Sequence, residues 1–442
     1  MNYTKVLVLF MMAWGLNQVA PDVLTHLHRL DGVEASIAVS LWCIGLFLLF
    51  GWACSKAAEG TVLPNFTLQL LVGIVLHDAL SPLSVQLTLS VVVCTALAAV
   101  ILKSGGDEIE RKVFFQIAYP TLMLAVLGYL VTFFVMFGLL MWLGMDGPTA
   151  ALLAAITGST DPAALIPTLK QLSFKQHYQR VAHVSVAESA LNDAVGAIFT
   201  AAVCLMVAAG VDLNSMASLG AGLFSGSNLI NLGEQILFGM LAGMVGWLGM
   251  NSFERYKSGQ GDRAEHEKPY DFAIVLALPL VTFVLAQAIH GNGFLAAFVA
   301  GLLANFNHGS HQFHGLLHSM EVKIESVAKP TIFMMVGPFV TLDALLDTLW
   351  LGLGVSLLFI FVARPLAVWV ALLPTAICWQ EKMFLCAVRE TGVIPVVLAV
   401  ITVAQFPNMT TLMPLTAWVV IWTLTLLPAM TPWWARKLQM LE

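Results

Sequence analysis

The chain reads as an all-α polytopic membrane protein of about fourteen transmembrane helices, built from inverted repeats with two crossed discontinuous helices. Three observations carry that reading. Of 442 residues, 59% are hydrophobic and only 10% charged, against roughly 25% charged in a soluble domain; the mean hydropathy is +0.86. Apolar stretches of membrane-spanning length recur along the whole chain, and nothing between them is long or polar enough for a separate soluble domain. Two of the stretches are interrupted at mid-span by Gly and Pro, each beside ionisable residues.

In order, spans are expected near 4–20, 36–54, 62–77, 83–102, 113–143, 148–170, 181–209, 232–253, 271–290, 293–306, 326–342, 348–374, 381–405 and 411–432. Each is judged against the roughly 20 apolar residues a crossing helix needs, and 62–77 and 293–306 are short. Lys5 followed by Val6 to Met12 has the pattern of a signal peptide, but no small-x-small cleavage site follows, so the segment is read as a retained span. The Gly/Ser/Asn-rich region 210–231 reads as a loop, with room for an interfacial turn.

Lys and Arg test this count, because cytoplasmic segments concentrate them. With the N-terminus inside, every Lys and Arg falls on the cytoplasmic side except Arg29, which sits outside near Asp22 and Asp31, and Arg364 and Arg389, which lie within spans. Both termini are therefore expected in the cytoplasm. Cys43, Cys54, Cys94, Cys204, Cys378 and Cys386 fit neither a disulfide framework nor a zinc site and read as packing residues. No basic patch supports nucleic-acid binding, no cofactor is implied, and no HExxH motif or obvious Ser/His dyad supports an intramembrane enzyme.

The span 148–170 cannot be one regular helix. Thr157-Gly158-Ser159-Thr160-Asp161-Pro162 puts breakers at its middle, with Pro162 suited to a new first turn and Thr160 or Asp161 to its N-cap. The span 381–405 carries Arg389-Glu390-Thr391-Gly392-Val393-Ile394-Pro395, again Thr-Gly, a short gap and Pro. The two lie seven spans apart and so cross in opposite directions, the internal symmetry of inverted-repeat transporters. Broken helices leave partial charges inside the membrane; Asp161 can offset the N-ends and Arg389 the C-ends. The plainer alternative is two ordinary proline kinks.

Asp193, in Glu188-Ser189-Ala190-Leu191-Asn192-Asp193, is the most informative residue. A carboxylate near a bilayer centre costs at least ~2.5–3.5 kcal/mol and needs a function or a partner. With Asp161 one span earlier, it points to a cation site.

Thr160-Asp161-Pro162, Glu188-Ser189-x-x-Asn192-Asp193, Arg364-Pro365, the Arg389 segment and Gly293-Phe294-Leu295-Ala296-Ala297-Phe298-Val299-Ala300-Gly301 together resemble the monovalent cation/proton antiporters of the NhaP/NHE type, over about residues 36–432. The resemblance implies exchange of Na⁺, or of Li⁺ or K⁺, for H⁺ by a homodimer in the lipid bilayer. It divides the chain into a dimerisation domain (36–102 and 210–346, with a linker helix) and a mobile core (113–209 and 348–432). It makes Asp193 the principal ligand and proton carrier, with Asp161, Ser189 and the Thr160 carbonyl as further ligands. Asn192 becomes the neutral partner of electroneutral members, and Glu188 and Arg364 the structural ion pair. Segment 1–35 is extra to the usual pattern, Glu390 is unusual beside Arg389, and Asp78 is only a loop candidate for an additional acidic ligand.

Burial disfavours a charged carboxylate, so a proton and a hard cation compete for Asp193, and a carboxylate carrying either one crosses neutral. The competing readings are a salt bridge from Asp193 to Arg364 or Arg389, and a pure capping role for Asp161. Glu390 is left open as ligand, partner of Arg389 or relay. His308, His311, His314 and His318 lie near one helical face: a solvated linker, a cytoplasmic pH sensor, or a metal site. His183 and His290 read as interfacial residues. Other functional classes are a proton-coupled carrier of another solute and a cation channel.

Overall fold

The computed structural model describes residues 3–27, 29, 32–61, 63–109, 111–160, 162–258, 271–306 and 311–442. Among them the fold is helical throughout, with one isolated β-bridge, Phe174 to Leu441. Among the described residues, eight helices are long and apolar enough to cross a membrane by length and composition alone; the other crossings described are short or broken.

The helices follow the expected spans in order. The first group is α1 (Thr4–Leu27), α2 (Gly32–Ala58), α3 (Asn65–Val75), the short turns α4 (His77–Leu80) and α5 (Pro82–Val85), and α6 (Leu87–Asp107). The next crossing is α7 (Arg111–Leu122) and α8 (Tyr129–Trp142), joined by a π-helical turn at Met123–Gly128. A broken crossing of α9 (Gly147–Thr157) and α10 (Pro162–Lys170) precedes the long α11 (Gln179–Ala208). Then come α12 (Met216–Leu223), α13 (Gly226–Ser258), α14 (Asp271–Ala288), α15 (Gly293–Phe306), α16 (His311–Met334) and the short α17 (Leu342–Asp347). The chain closes with α18 (Leu349–Leu358) and α19 (Arg364–Ala371) about a second π-helical turn, Phe359–Ala363, the broken pair α20 (Trp379–Ala387) and α21 (Val393–Gln405), and α22 (Leu412–Lys437). The repeat is visible in this order: a π-turned crossing, a broken crossing and a long helix occur twice.

Two regions differ from the sequence reading. Region 210–231 holds α12 and the start of α13; Ser215 and Ser218 form a reciprocal capping box that starts α12 despite the loop-like composition. Residues 311–325, expected as a linker helix ahead of a separate span, run on into that span without a break in α16.

Small residues let backbones touch, as membrane helix packing favours. A Cβ at Gly301 would collide with the Lys103 carbonyl, and one at Gly106 with that of Phe298, so α15 and α6 pack backbone to backbone. Lys103, expected at the cytoplasmic edge, is buried there and pairs with Glu321 of α16. Gly301→Val has no flexible side chain to displace. It should lower the yield of folded protein sharply in fluorescence-detected size exclusion; a wild-type profile would contradict this packing.

The extra helix α1 is tied down by polar bonds. Asn17 Nδ2 donates to Asp78 Oδ2 at 2.8 Å, and the Ala79 amide donates to Asn17 Oδ1 at 3.0 Å. Asp78 is thereby engaged with α1.

Candidate functional site

The site is assembled where the two broken crossings meet α11. α9 starts on Asp146, whose side chain accepts from the Thr149 amide at 3.0 Å, with Pro in its first turn. It ends at Gly158, where a Cβ would lie 2.5 Å from the Tyr129 ring. Tyr129 also donates from its hydroxyl to the Ala155 carbonyl at 2.7 Å, bracing the last turn of α9. Ser159 and Thr160 follow in non-helical backbone, both buried. Their hydroxyls have no hydrogen-bond partner among the described residues. In the second break, residues 388–392 are non-helical. Pro395 falls within the first turn of α21, where its missing N–H costs no helical bond.

Glu188, Ser189, Asn192 and Asp193 of α11 stand at i, i+1, i+4 and i+5 and so share one face. All four are at most 4% exposed. Ser189 Oγ and Asn192 Oδ1 have no hydrogen-bond partner among the described residues. One turn beyond Asn192, a Cβ at Gly196 would lie 2.9 Å from Ser159 Cβ, so the polar turn of α11 sits directly on the break of α9–α10. Ser159, Thr160, Ser189, Asn192 and Asp193 thus concentrate neutral and acidic oxygens in one buried region, the donor type a hard monovalent cation takes.

Two guanidiniums hold the breaks. Arg364 donates from Nη1 to Glu188 Oε1 at 3.1 Å and from Nη2 to Glu188 Oε2 at 3.3 Å. It also donates from Nε to the Leu385 carbonyl at 3.0 Å and from Nη2 to the Val388 carbonyl at 3.2 Å, the C-terminal end of α20. Arg389 donates to Thr132 Oγ1 at 3.0 Å and to the Gly158 carbonyl, the C-terminal end of α9. Each arginine therefore meets the partial negative charge of one half-helix. Asn192 Nδ2 donates to Glu188 Oε1 at 3.2 Å, joining the ion pair to the Asp193 turn. The Thr391 amide donates to Thr423 Oγ1 of α22 at 3.2 Å.

Tyr129, Thr132, Gly196 and Thr423 escaped the sequence reading, whereas Arg364 is named there. Tyr129 and Arg364 each follow immediately after a π-helical turn, at matching places of the two repeats. Such turns favour functional sites, but hydropathy does not record them. Thr132, Gly196 and Thr423 carry no charge and read as ordinary span residues, and Ser159 reads only as part of the break. A second ion pair, Arg180 with the buried Glu381, bonds through Nε and Nη2 at 2.7 Å each and ties α11 to α20. Asp161 and His308 lie outside the described residues, as do the side chains of His311, His314 and His318. No cluster of three or more His, Cys, Asp or Glu with metal-binding geometry occurs among the described residues.

Comparison with known proteins gives a consistent picture. The chain is similar to the K(+)/H(+) antiporter NhaP2 of Shewanella oneidensis, 29% identical over 68% of this chain and 49% of that one. It is similar to Na(+)/H(+) antiporter 1 of Methanocaldococcus jannaschii, 26% identical over 82% of this chain and 83% of that one. The chain spans about half the length of the NhaP2 relatives it matches. Its fold matches that of the sodium proton antiporter MjNhaP1 from Methanocaldococcus jannaschii at pH 8, with TM-score 0.74, 22% identity, and 89% of this chain and 97% of that one covered. The model of the transmembrane sodium/hydrogen exchanger family matches residues 44–437, most of the chain. This multi-pass integral membrane protein belongs to the sodium/hydrogen exchanger family.

Proposed function

We propose that the protein exchanges a monovalent cation for H⁺ across the membrane, electroneutrally and by alternating access, with Asp193 as the shared site. The observation that carries this is the burial of Asp193, Asn192 and Ser189 on α11 against the unwound Gly158–Thr160 backbone. Asp193 holds either the cation or a proton. Ser189 Oγ, the Thr160 carbonyl and Asp161 complete the cation's oxygen shell. Asn192 contributes polarity without a second charge, and Glu188 with Arg364 forms a neutral scaffold pair. The cargo is Na⁺ in the first instance. K⁺ is the second reading, favoured by the K(+)/H(+) names of the NhaP2 relatives.

The domain scheme assigns 36–102 and 210–346 to a dimerisation scaffold, 113–209 and 348–432 to a moving core, and 1–35 to an additional helix, in a homodimer of a prokaryotic plasma membrane with both termini inside. A cleft of about 1040 Å³ between α11 and α21 on one side and α6, α13 and α14 on the other supports that division. It reaches Ala197 and Thr200, one and two turns along α11 from Asp193. It lies at the ends of these helices that the Lys/Arg distribution assigns to the outside, and so supports an outward route to the site.

The test is dissipation of a pH gradient in proteoliposomes on adding Na⁺, Li⁺ or K⁺ in turn, with the potential clamped. At least one cation should collapse the gradient, at a rate independent of voltage. One net charge per cycle would instead couple by about 2.3 kcal/mol per 100 mV. A gradient indifferent to all three cations overturns antiport; voltage dependence overturns only electroneutrality.

A further inference from the structure

A groove that shares no residue with the proposed ion site lies between the first turns of α1 and the last turns of α2. Asn17 pins the middle of α1 to Asp78, and Ala13 and Ala20 are fully buried in the same helix. Toward the N-terminal end the two helices leave a groove of about 560 Å³. Its walls are apolar: Val8, Leu9 and Met12 from α1, and Trp52 and Ala57 from α2. Trp52 is 63% and Met12 60% exposed, so the groove faces outward into the bilayer. Lys5 and Lys56 stand at its mouth. Lys56 donates to Glu59 at 2.8 Å. The Lys56 hydrogen bond and charge, and more weakly the charge of Lys5, hold the exposed Glu59 carboxyl below the usual carboxylate range, so both lysines act on one spot. Two ammoniums against one carboxylate leave that spot positive. An amphipathic Trp at the same end fits the headgroup layer, where indole rings collect.

We propose that this groove binds an anionic phospholipid of the lysine-rich leaflet, its phosphate between Lys5 and Lys56 and one acyl chain along Val8, Met12 and Trp52. The apolar length of the slot calls for a chain, and the net positive mouth selects an anionic over a zwitterionic headgroup. Lysines near an anionic lipid surface contribute about 1 kcal/mol each, or about fivefold in affinity. The extra helix would then be fastened by lipid at one end and by Asn17 at its middle.

Native mass spectrometry and thermal unfolding of the purified full chain in detergent test this, with dioleoylphosphatidylglycerol against dioleoylphosphatidylcholine. The wild type should retain phosphatidylglycerol preferentially and be stabilised by it. Lys5→Gln with Lys56→Gln should weaken that retention by roughly 25-fold, and Glu59→Gln should strengthen it. All three substitutions are exposed, so melting without lipid should match the wild type. Equal response to the two lipids, stabilisation by inorganic phosphate alone, or unchanged phosphatidylglycerol retention in the double variant would overturn the proposal. Should the double variant melt early without lipid, Glu59→Gln decides: unchanged or weaker retention would overturn it as well.

Discussion

Asp193→Asn should abolish cation-driven dissipation of the pH gradient while leaving the protein folded. An amide cannot take or release a proton, so the exchange step loses its currency. It also loses its charge: a charge-assisted contact contributes about 1.5–3 kcal/mol, so cation affinity should fall roughly 10- to 150-fold. Stability should hold or rise, because a buried carboxylate is expensive in a bilayer. Asp193 is 4% exposed on a helix face shared with Asn192 and Ser189, so a change of one atom type leaves the packing volume intact. Proteoliposome flux, cation binding by calorimetry and thermal unfolding should be read on one preparation. Wild-type flux from the variant would remove Asp193 from the mechanism, whatever the binding data.

The different predictability of these elements has physical causes. Spanning helices are legible because lipid demands about 20 apolar residues whatever the packing. The breaks are legible because Gly158, Pro162, Gly392 and Pro395 act through local backbone chemistry. Region 210–231 is not legible because the Ser215 capping box starts a helix that composition alone argues against. The hydrogen-bond partners of the arginines were only half legible. Charge counting links Arg364 to an acid, but its bonds to the Leu385 and Val388 carbonyls depend on a π-helical turn just before it. In the same way Arg389 spans from its own break to the Gly158 carbonyl of the other, a contact set by how two crossings pack. A glycine such as Gly196 is ordinary in sequence; its role appears only when the neighbouring backbone is in place.

Glu188→Ala should cost mainly folding, and Arg364→Leu more. Breaking a buried ion pair by removing one partner costs about 3–5 kcal/mol, because the other charge stays buried. Glu188 and Arg364 are at most 2% exposed, so water cannot take over. Glu188→Ala strands one guanidinium and frees Asn192 Nδ2. Arg364→Leu strands a carboxylate and leaves the Leu385 and Val388 carbonyls at the broken end of α20 without this donor. The double variant Glu188→Leu with Arg364→Leu separates the two contributions. If the pair alone mattered, two apolar residues would restore stability, as they often do for buried pairs. The carbonyls predict otherwise: unsatisfied buried acceptors cost about 1–3 kcal/mol each, so the double variant should stay well below the wild type in thermal unfolding. Full recovery would show that Arg364 serves only Glu188. A Glu188→Ala protein as stable as the wild type yet unable to exchange ions would instead make Glu188 part of the ion site, and the neutral scaffold on which electroneutral exchange at Asp193 depends would have to be drawn again.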